Sequence, residues 1–180
     1  ECSSAASDVY KRQYLLKEFL SKIPFQLTKS QKKVLDEIKH DLSASTPMSR
    51  LLQGDVGSGK TIIAIASLLI ELEKGSQGAL MVPTEVLAEQ HYKNFIKYVN
   101  PLFVSVEILT GNTKQKKRRE ILSNLRNGLI DILVGTHALF EDKVIFNSLG
   151  MVVIDEQHRF GVTQRNRLLN KGKNTNLLSM

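Results

Sequence analysis

Apolar positions follow two rhythms along the chain, and the change between them falls near residue 48. From Tyr14 to Ile23, the residues Leu15, Leu16, Phe19, Leu20 and Ile23 recur at intervals of one, three and four, which predicts a short helix closed by Pro24. A second helix is expected from Lys29 to Leu42. Thr28 followed by Gln31 fits a capping box, and Val34, Leu35, Ile38 and Leu42 make the apolar face. Residues 14–47 thus read as a helical entry segment that ends in the polar stretch Ser43 to Pro47.

From residue 48 onward, short apolar runs alternate with amphipathic stretches. Strands are expected at Arg50 to Gln53, Ala79 to Val82, Ser105 to Leu109, Ile132 to Gly135, Met151 to Ile154 and Asn176 to Ser179. Helices are expected at Lys60 to Lys74, Glu85 to Tyr98, Lys114 to Asn127 and Thr163 to Lys171. This alternation predicts an α/β domain over 48–180, with a mostly parallel sheet and helices on both faces. Residues 1–13 show no period and read as foreign or disordered. A chain that stops on a strand at Met180 predicts a truncated domain.

Composition narrows the classes. With 42% hydrophobic and 24% charged residues, 180 positions suffice for one globular core. The longest apolar stretch, Ile62 to Ile70, falls short of the roughly 20 residues that cross a bilayer. No basic patch followed by an apolar run opens the chain, so a cytoplasmic location is expected. Cys2 is the only cysteine, which rules out an internal disulfide and a cysteine-based zinc site. The formal charge of +7 favours phosphate-bearing partners. The basic run Lys114, Lys116, Lys117, Arg118 and Arg119 reads as a solvated helix start and decides nothing by itself.

Specific chemistry enters at Gly54-Asp55-Val56-Gly57-Ser58-Gly59-Lys60-Thr61, which matches the phosphate-binding loop G-x-x-x-x-G-K-[ST] between an expected strand and an expected helix. Glycines let the backbone curl around phosphates and aim N–H groups at them. Lys60 is placed to reach the β- and γ-phosphate oxygens, and the Thr61 hydroxyl to ligate Mg²⁺. The helix that starts there adds the positive end of its dipole. A second acidic site follows: the apolar run Met151-Val152-Val153-Ile154 delivers Asp155 and Glu156 at the carboxyl end of a buried strand. Asp155 is expected to hold Mg²⁺, and Glu156 to orient and deprotonate the water that attacks the γ-phosphate. Lys60, Asp155 and Glu156 are the catalytic candidates, with ATP and Mg²⁺ as the groups they handle.

Asp155-Glu156-Gln157-His158 resembles the DExH signature of superfamily 2 helicases and translocases. Pro83-Thr84-Glu85 with Leu87-Ala88-Glu89-Gln90-His91 resembles motif Ia. Leu109-Thr110-Gly111 resembles the next motif, and Val134-Gly135-Thr136-His137-Ala138 the element before motif II. The resemblance implies a RecA-like P-loop NTPase domain whose loops at Thr84, Gly111 and Thr136 lie along the DNA backbone.

Within that superfamily, Pro24-Phe25-Gln26-Leu27-Thr28 with Gln31, and Arg159-Phe160-Gly161-Val162 with Gln164-Arg165, resemble the RecG family of branch-migrating DNA helicases. It implies a Q-motif in which Phe25 and Gln31 hold the adenine, and His158 as the coupler between nucleotide and DNA. The implied partner is branched or forked duplex DNA, bound without regard to sequence, in recombination and repair. It also implies an arginine-finger-bearing second RecA-like domain beyond motif III and an N-terminal wedge domain, neither present in 14–180, so the isolated fragment is expected to be inactive. The rival is the translocase module of transcription-repair coupling factors. That family usually carries Glu at the position of Gln157 and Phe at that of Ser58, and lacks the Phe-x-Leu-Thr run. A module that binds nucleotide or nucleic acid without turnover is the alternative from another class.

Overall fold

The computed structural model describes residues 12–54 and 58–180, with the side chain of Ser58 left aside. Residues 1–11 lie outside this range, as do Asp55, Val56 and Gly57 of the phosphate-binding loop.

Two helices lead in. Helix α1 (Leu15–Lys22) buries Leu15, Leu16 and Phe19. Its free N-terminus is met from outside: the Leu16 N–H donates to Glu73 Oε1 at 2.9 Å, answering one of the unpaired donors that every helix start carries. Burial raises the Glu73 carboxyl above its ordinary range, against the lowering effect of this backbone bond. Helix α2 (Lys29–Ser43) has the expected capping box, in which Thr28 and Gln31 exchange side-chain and backbone hydrogen bonds. Arg50 clamps α2 to the sheet, donating to Glu37 at 2.9 Å and to Asp41 at 2.8 Å.

The sheet contains β1 (Ser49–Leu51), β2 (Gln77–Met81), β3 (Val106–Leu109), β4 (Ile132–Gly135), β5 (Leu149–Ile154) and β6 (Asn176–Ser179). They run parallel in the order β1-β6-β5-β2-β4-β3. The crossovers are α3 (Ser58–Glu73), α4 (Glu85–Val99), α5 (Gln115–Arg126) and α6 (Val162–Leu169). One face of the sheet packs against α1 to α4 and the other against α5 and α6. Alternate residues of one strand go to opposite cores: Met151 and Val153 to the first, Val152 and Ile154 to the second. That is why the central strands read as unbroken apolar runs. Helix α3 is buried nearly all round from Ile62 to Leu72, as its uniform apolarity requires.

Element ends shift by one or two residues from expectation, with local causes. Strand β5 begins at Leu149 rather than Met151 and passes through Gly150, where an added Cβ would lie 2.6 Å from both Glu71 and Ser76. Strand β1 ends at Leu51 rather than Gln53, as the chain turns into Gly54. Helix α6 starts at Val162 because Gln164 reaches back to accept the Gly161 N–H at 3.1 Å. In the basic run, Lys114, Lys116, Lys117 and Arg119 are exposed as expected, and Arg118 is half-buried. Arg118 tucks in to donate to Thr110 O and to Glu141, both at 2.9 Å, and Lys117 pairs with Glu107. Arg12, inside the stretch read as foreign or disordered, pairs with Asp131 at 3.0 Å.

Polar staples hold the strand starts. Gln77 is buried, donates to Leu125 O and Ile130 O, and accepts the Ser148 N–H. Gln77→Ala would take the side-chain partner from the Ile130 carbonyl and the Ser148 N–H, while the Leu125 carbonyl keeps the Gly128 N–H. It is expected to cost about 3 kcal/mol and to lower Tm by about 6–12 °C in thermal denaturation. An unchanged Tm would mean that water replaces the side chain without loss.

Candidate active site

In a parallel sheet every strand ends on the same edge, so the loops after β1 to β5 share one rim. The strand order sorts them. Loops after β1 and β5, flanking β6, carry the phosphate-loop and acidic residues, whereas those after β2, β4 and β3 carry Thr84, Thr136 and Gly111.

On the first side, Gly54 has φ of +149°, a conformation that L side chains rarely adopt, as the chain leaves β1. The Lys60 side chain folds back over it, with Cε 3.8 Å from where a Cβ on Gly54 would stand. Gln31 leans on the same turn. Its Oε1 accepts the Thr28 N–H at 2.9 Å, and a Cβ on Gly59 would lie 2.6 Å from its Nε2, so glycine there permits the approach. Thr28, Gln31, Gln53, Gly54, Gly59 and Lys60 line one cavity of about 290 Å³.

A second cavity of about 580 Å³ adjoins it at Lys60 and is lined by Thr61, Gln90, His91, Asn94, Asp155, Glu156 and His158 among others. Asp155 is half-buried. Its Oδ2 lies 2.8 Å from His91 Nε2, and its Oδ1 accepts the Glu156 N–H at 2.9 Å. Burial pushes its carboxyl up, but the hydrogen bond and charge of His91, the Glu156 N–H and the charge of Lys60 outweigh it and hold the pKa below the usual value. Asp155 therefore stands ionised across the neutral range, as a Mg²⁺ ligand must. Glu156 occupies the left-handed region, with φ +56° and ψ +49°. This costs a non-glycine residue of the order of 1–3 kcal/mol. His158, mostly exposed, approaches Glu156 Oε2 at 3.2 Å.

The donor set fits nucleotide and metal. An ammonium, a hydroxyl and an ionised carboxylate converge on one cavity at the start of a 16-residue helix. Among the described residues, no group of three or more His, Cys, Asp or Glu side chains could hold a metal alone. Mg²⁺, which is commonly bound through one or two carboxylates plus phosphate oxygens and water, needs no such group.

On the second side, Thr84 is exposed and caps α4, accepting the Leu87 N–H at 3.3 Å. Gly111 is exposed. Glu85 ties the two loops together by accepting from Asn112 N and Nδ2, and the Thr110 hydroxyl, followed by these Asn112 bonds, lowers its pKa. Thr136 is 8% exposed, so the rim presents little more of it than an edge. Beside it, His137 stacks against Phe140 and Phe160, joining this loop to the segment after Glu156.

Phe25 is not brought to the nucleotide cavity. It stands 39% exposed in a separate groove with Leu20, Ile23, Leu27 and Leu35. Asp55, Val56 and Gly57 lie outside the described residues. His91 enters the sequence reading only as the last residue of the motif Ia stretch, with no role of its own, because a histidine seven positions into a helix carries no local signal of its partner.

The chain is similar to helicases of known sequence and structure. The family profile described as "DEAD/DEAH box helicase" matches residues 28–177. The chain is 54% identical over 166 residues to the ATP-dependent DNA helicase RecG of Synechocystis sp., covering 92% of this chain and 20% of that protein. It is 52% identical over 165 residues to RecG of Bacillus subtilis, covering 92% and 24%. A solved structure titled as RecG bound to a three-way DNA junction superposes with a TM-score of 0.81 at 39% identity, over 97% of this chain and 26% of the other. The chain thus spans about a fifth to a quarter of the length of these relatives.

Proposed function

The chain belongs to the DEAD/DEAH box helicase family, and on that premise we propose that it is the ATP-binding first motor domain of a RecG-type DNA helicase that remodels branched DNA and stalled forks in recombination and repair. The observation that carries this reading is a pair of cavities that share Lys60, one lined by Gln31 and Gly54 and the other by Thr61, Asp155 and Glu156.

ATP would lie across these two cavities. The amide of Gln31 reads the adenine. Gly54, Asp55, Val56, Gly57, Ser58 and Gly59 wrap the phosphates, and Lys60 binds the β- and γ-oxygens. Thr61 and Asp155 would hold Mg²⁺, which supplies positive charge across the phosphate oxygens. Glu156 accepts the proton of a water whose oxygen bonds to the γ-phosphorus as the bond to the β–γ bridging oxygen breaks, leaving ADP and phosphate. His158, already against Glu156, carries the state of this site toward the DNA loops. A second RecA-like domain in the same protein would bring the arginine that offsets transition-state charge, and a wedge domain would grip the junction. The expected setting is the cytoplasm; among the described residues, no helix is long and apolar enough to cross a membrane.

DNA is met by the loops at Thr84, Gly111 and Thr136, with Lys114, Lys116 and Arg119 close behind Gly111 in the chain. Binding through phosphates is independent of sequence and sensitive to salt. For three neutralised phosphates, affinity should fall about 40-fold between 50 and 200 mM salt, measured by fluorescence anisotropy with duplexes of unrelated sequence. A flat salt response, or preference for one sequence, would count against this interface. The decisive experiment is ATP hydrolysis by the full-length protein with forked DNA, linear duplex and no DNA. Strong stimulation by the fork alone is expected. Equal stimulation by both would point to a duplex translocase of the coupling-factor kind, and none at all to a binding module.

A further inference from the structure

Asp155 meets the cavity with both carboxylate oxygens engaged, Oδ1 by the Glu156 backbone and Oδ2 by a side chain from another element, His91. His91 sits on α4, is 9% exposed, and is held edge-on to Phe95 with ring centroids 6.4 Å apart. Its other ring nitrogen, Nδ1, is buried with no hydrogen-bond partner among the described residues. The ring thus uses a single polar contact, and that contact is the carboxylate expected to ligate metal. A histidine kept only to fill the core beside Phe95 would be replaceable by an apolar residue at no polar cost, and one kept for general polar satisfaction would have both nitrogens answered.

Resting on the ATP-binding reading above, we infer that His91 is a positioning residue: its Nε2–H fixes the rotation of the Asp155 carboxylate and thereby sets how well the site takes Mg²⁺ with nucleotide. Without that donor, Oδ2 is free to turn and one face of a half-buried carboxylate loses its partner. Groups that orient a metal ligand in this way are commonly worth 10- to 100-fold in metal affinity.

The test uses reach. Glutamine places an amide N–H about as far along the side chain as Nε2, whereas asparagine stops about one atom shorter. The full-length protein and its His91→Gln and His91→Asn variants are titrated with fluorescent N-methylanthraniloyl-ADP, with and without Mg²⁺, and their melting temperatures recorded. The wild-type protein should bind the probe more tightly with Mg²⁺. His91→Asn should lose that gain by about tenfold or more, with metal-free affinity within about twofold, and His91→Gln should restore most of it. If Asn and Gln behave alike, or if both keep the wild-type Mg²⁺ response, His91 does not position Asp155. If the wild-type protein binds no probe under either condition, the nucleotide reading falls and this inference with it.

Discussion

Glu156→Gln is expected to cut ATP turnover by about 10²- to 10⁴-fold while nucleotide stays bound. The amide keeps the shape of the side chain but cannot take a proton from water. The backbone at Glu156 is already held at φ +56°, so the exchange changes chemistry and leaves the fold of the turn as it is. The partner of Glu156 in the structure, His158, loses a carboxylate at 3.2 Å and gains a neutral oxygen. Phosphate release by the full-length protein on forked DNA, set beside binding of a fluorescent nucleotide, separates the two effects. Turnover above about a tenth of wild type would mean that another group handles the water.

Lys60→Ala should act differently, weakening nucleotide binding and turnover together. Lys60 lines both cavities, and among the described residues it is the only charged side chain that does. Loss of such a preorganised donor costs about 10²- to 10³-fold in rate. It also removes a charge that helps keep the Asp155 carboxyl low. In the same two assays, this variant should show a raised nucleotide dissociation constant where Glu156→Gln does not. Wild-type binding by Lys60→Ala would place the phosphates elsewhere.

These two residues were legible in the sequence because each lies in a contiguous run whose meaning is local: a glycine loop between strand and helix, and two acids at the end of an apolar strand. The alternation of elements likewise announced the parallel sheet. The strand order was not legible. That β6, the last strand in the chain, threads between β1 and β5 is a fact of packing, and it decides which loops are neighbours. His91 shows the consequence: it lies 64 positions from Asp155 in the chain, and contact between them requires β2 beside β5. Gln77 reaches Leu125 and Ile130 by the same route, through β2 beside β4. Thr136 and Phe25 show the converse limit, since motif position says nothing about exposure: one is nearly covered, and the other faces a different groove.

Because the strands all point one way, the rim that does chemistry has an opposite rim made of the connections that enter the strands. Asn127 and Asn174 lie there, exposed and ahead of β4 and β6. Within these 180 residues Cys2 is the only cysteine, so replacing it by serine and placing a new cysteine at either asparagine would leave this domain one thiol. A dye or a surface tether attached at that point would hang from the back of the sheet, away from nucleotide and DNA alike. Such a handle would leave the loops that follow the strands uncovered.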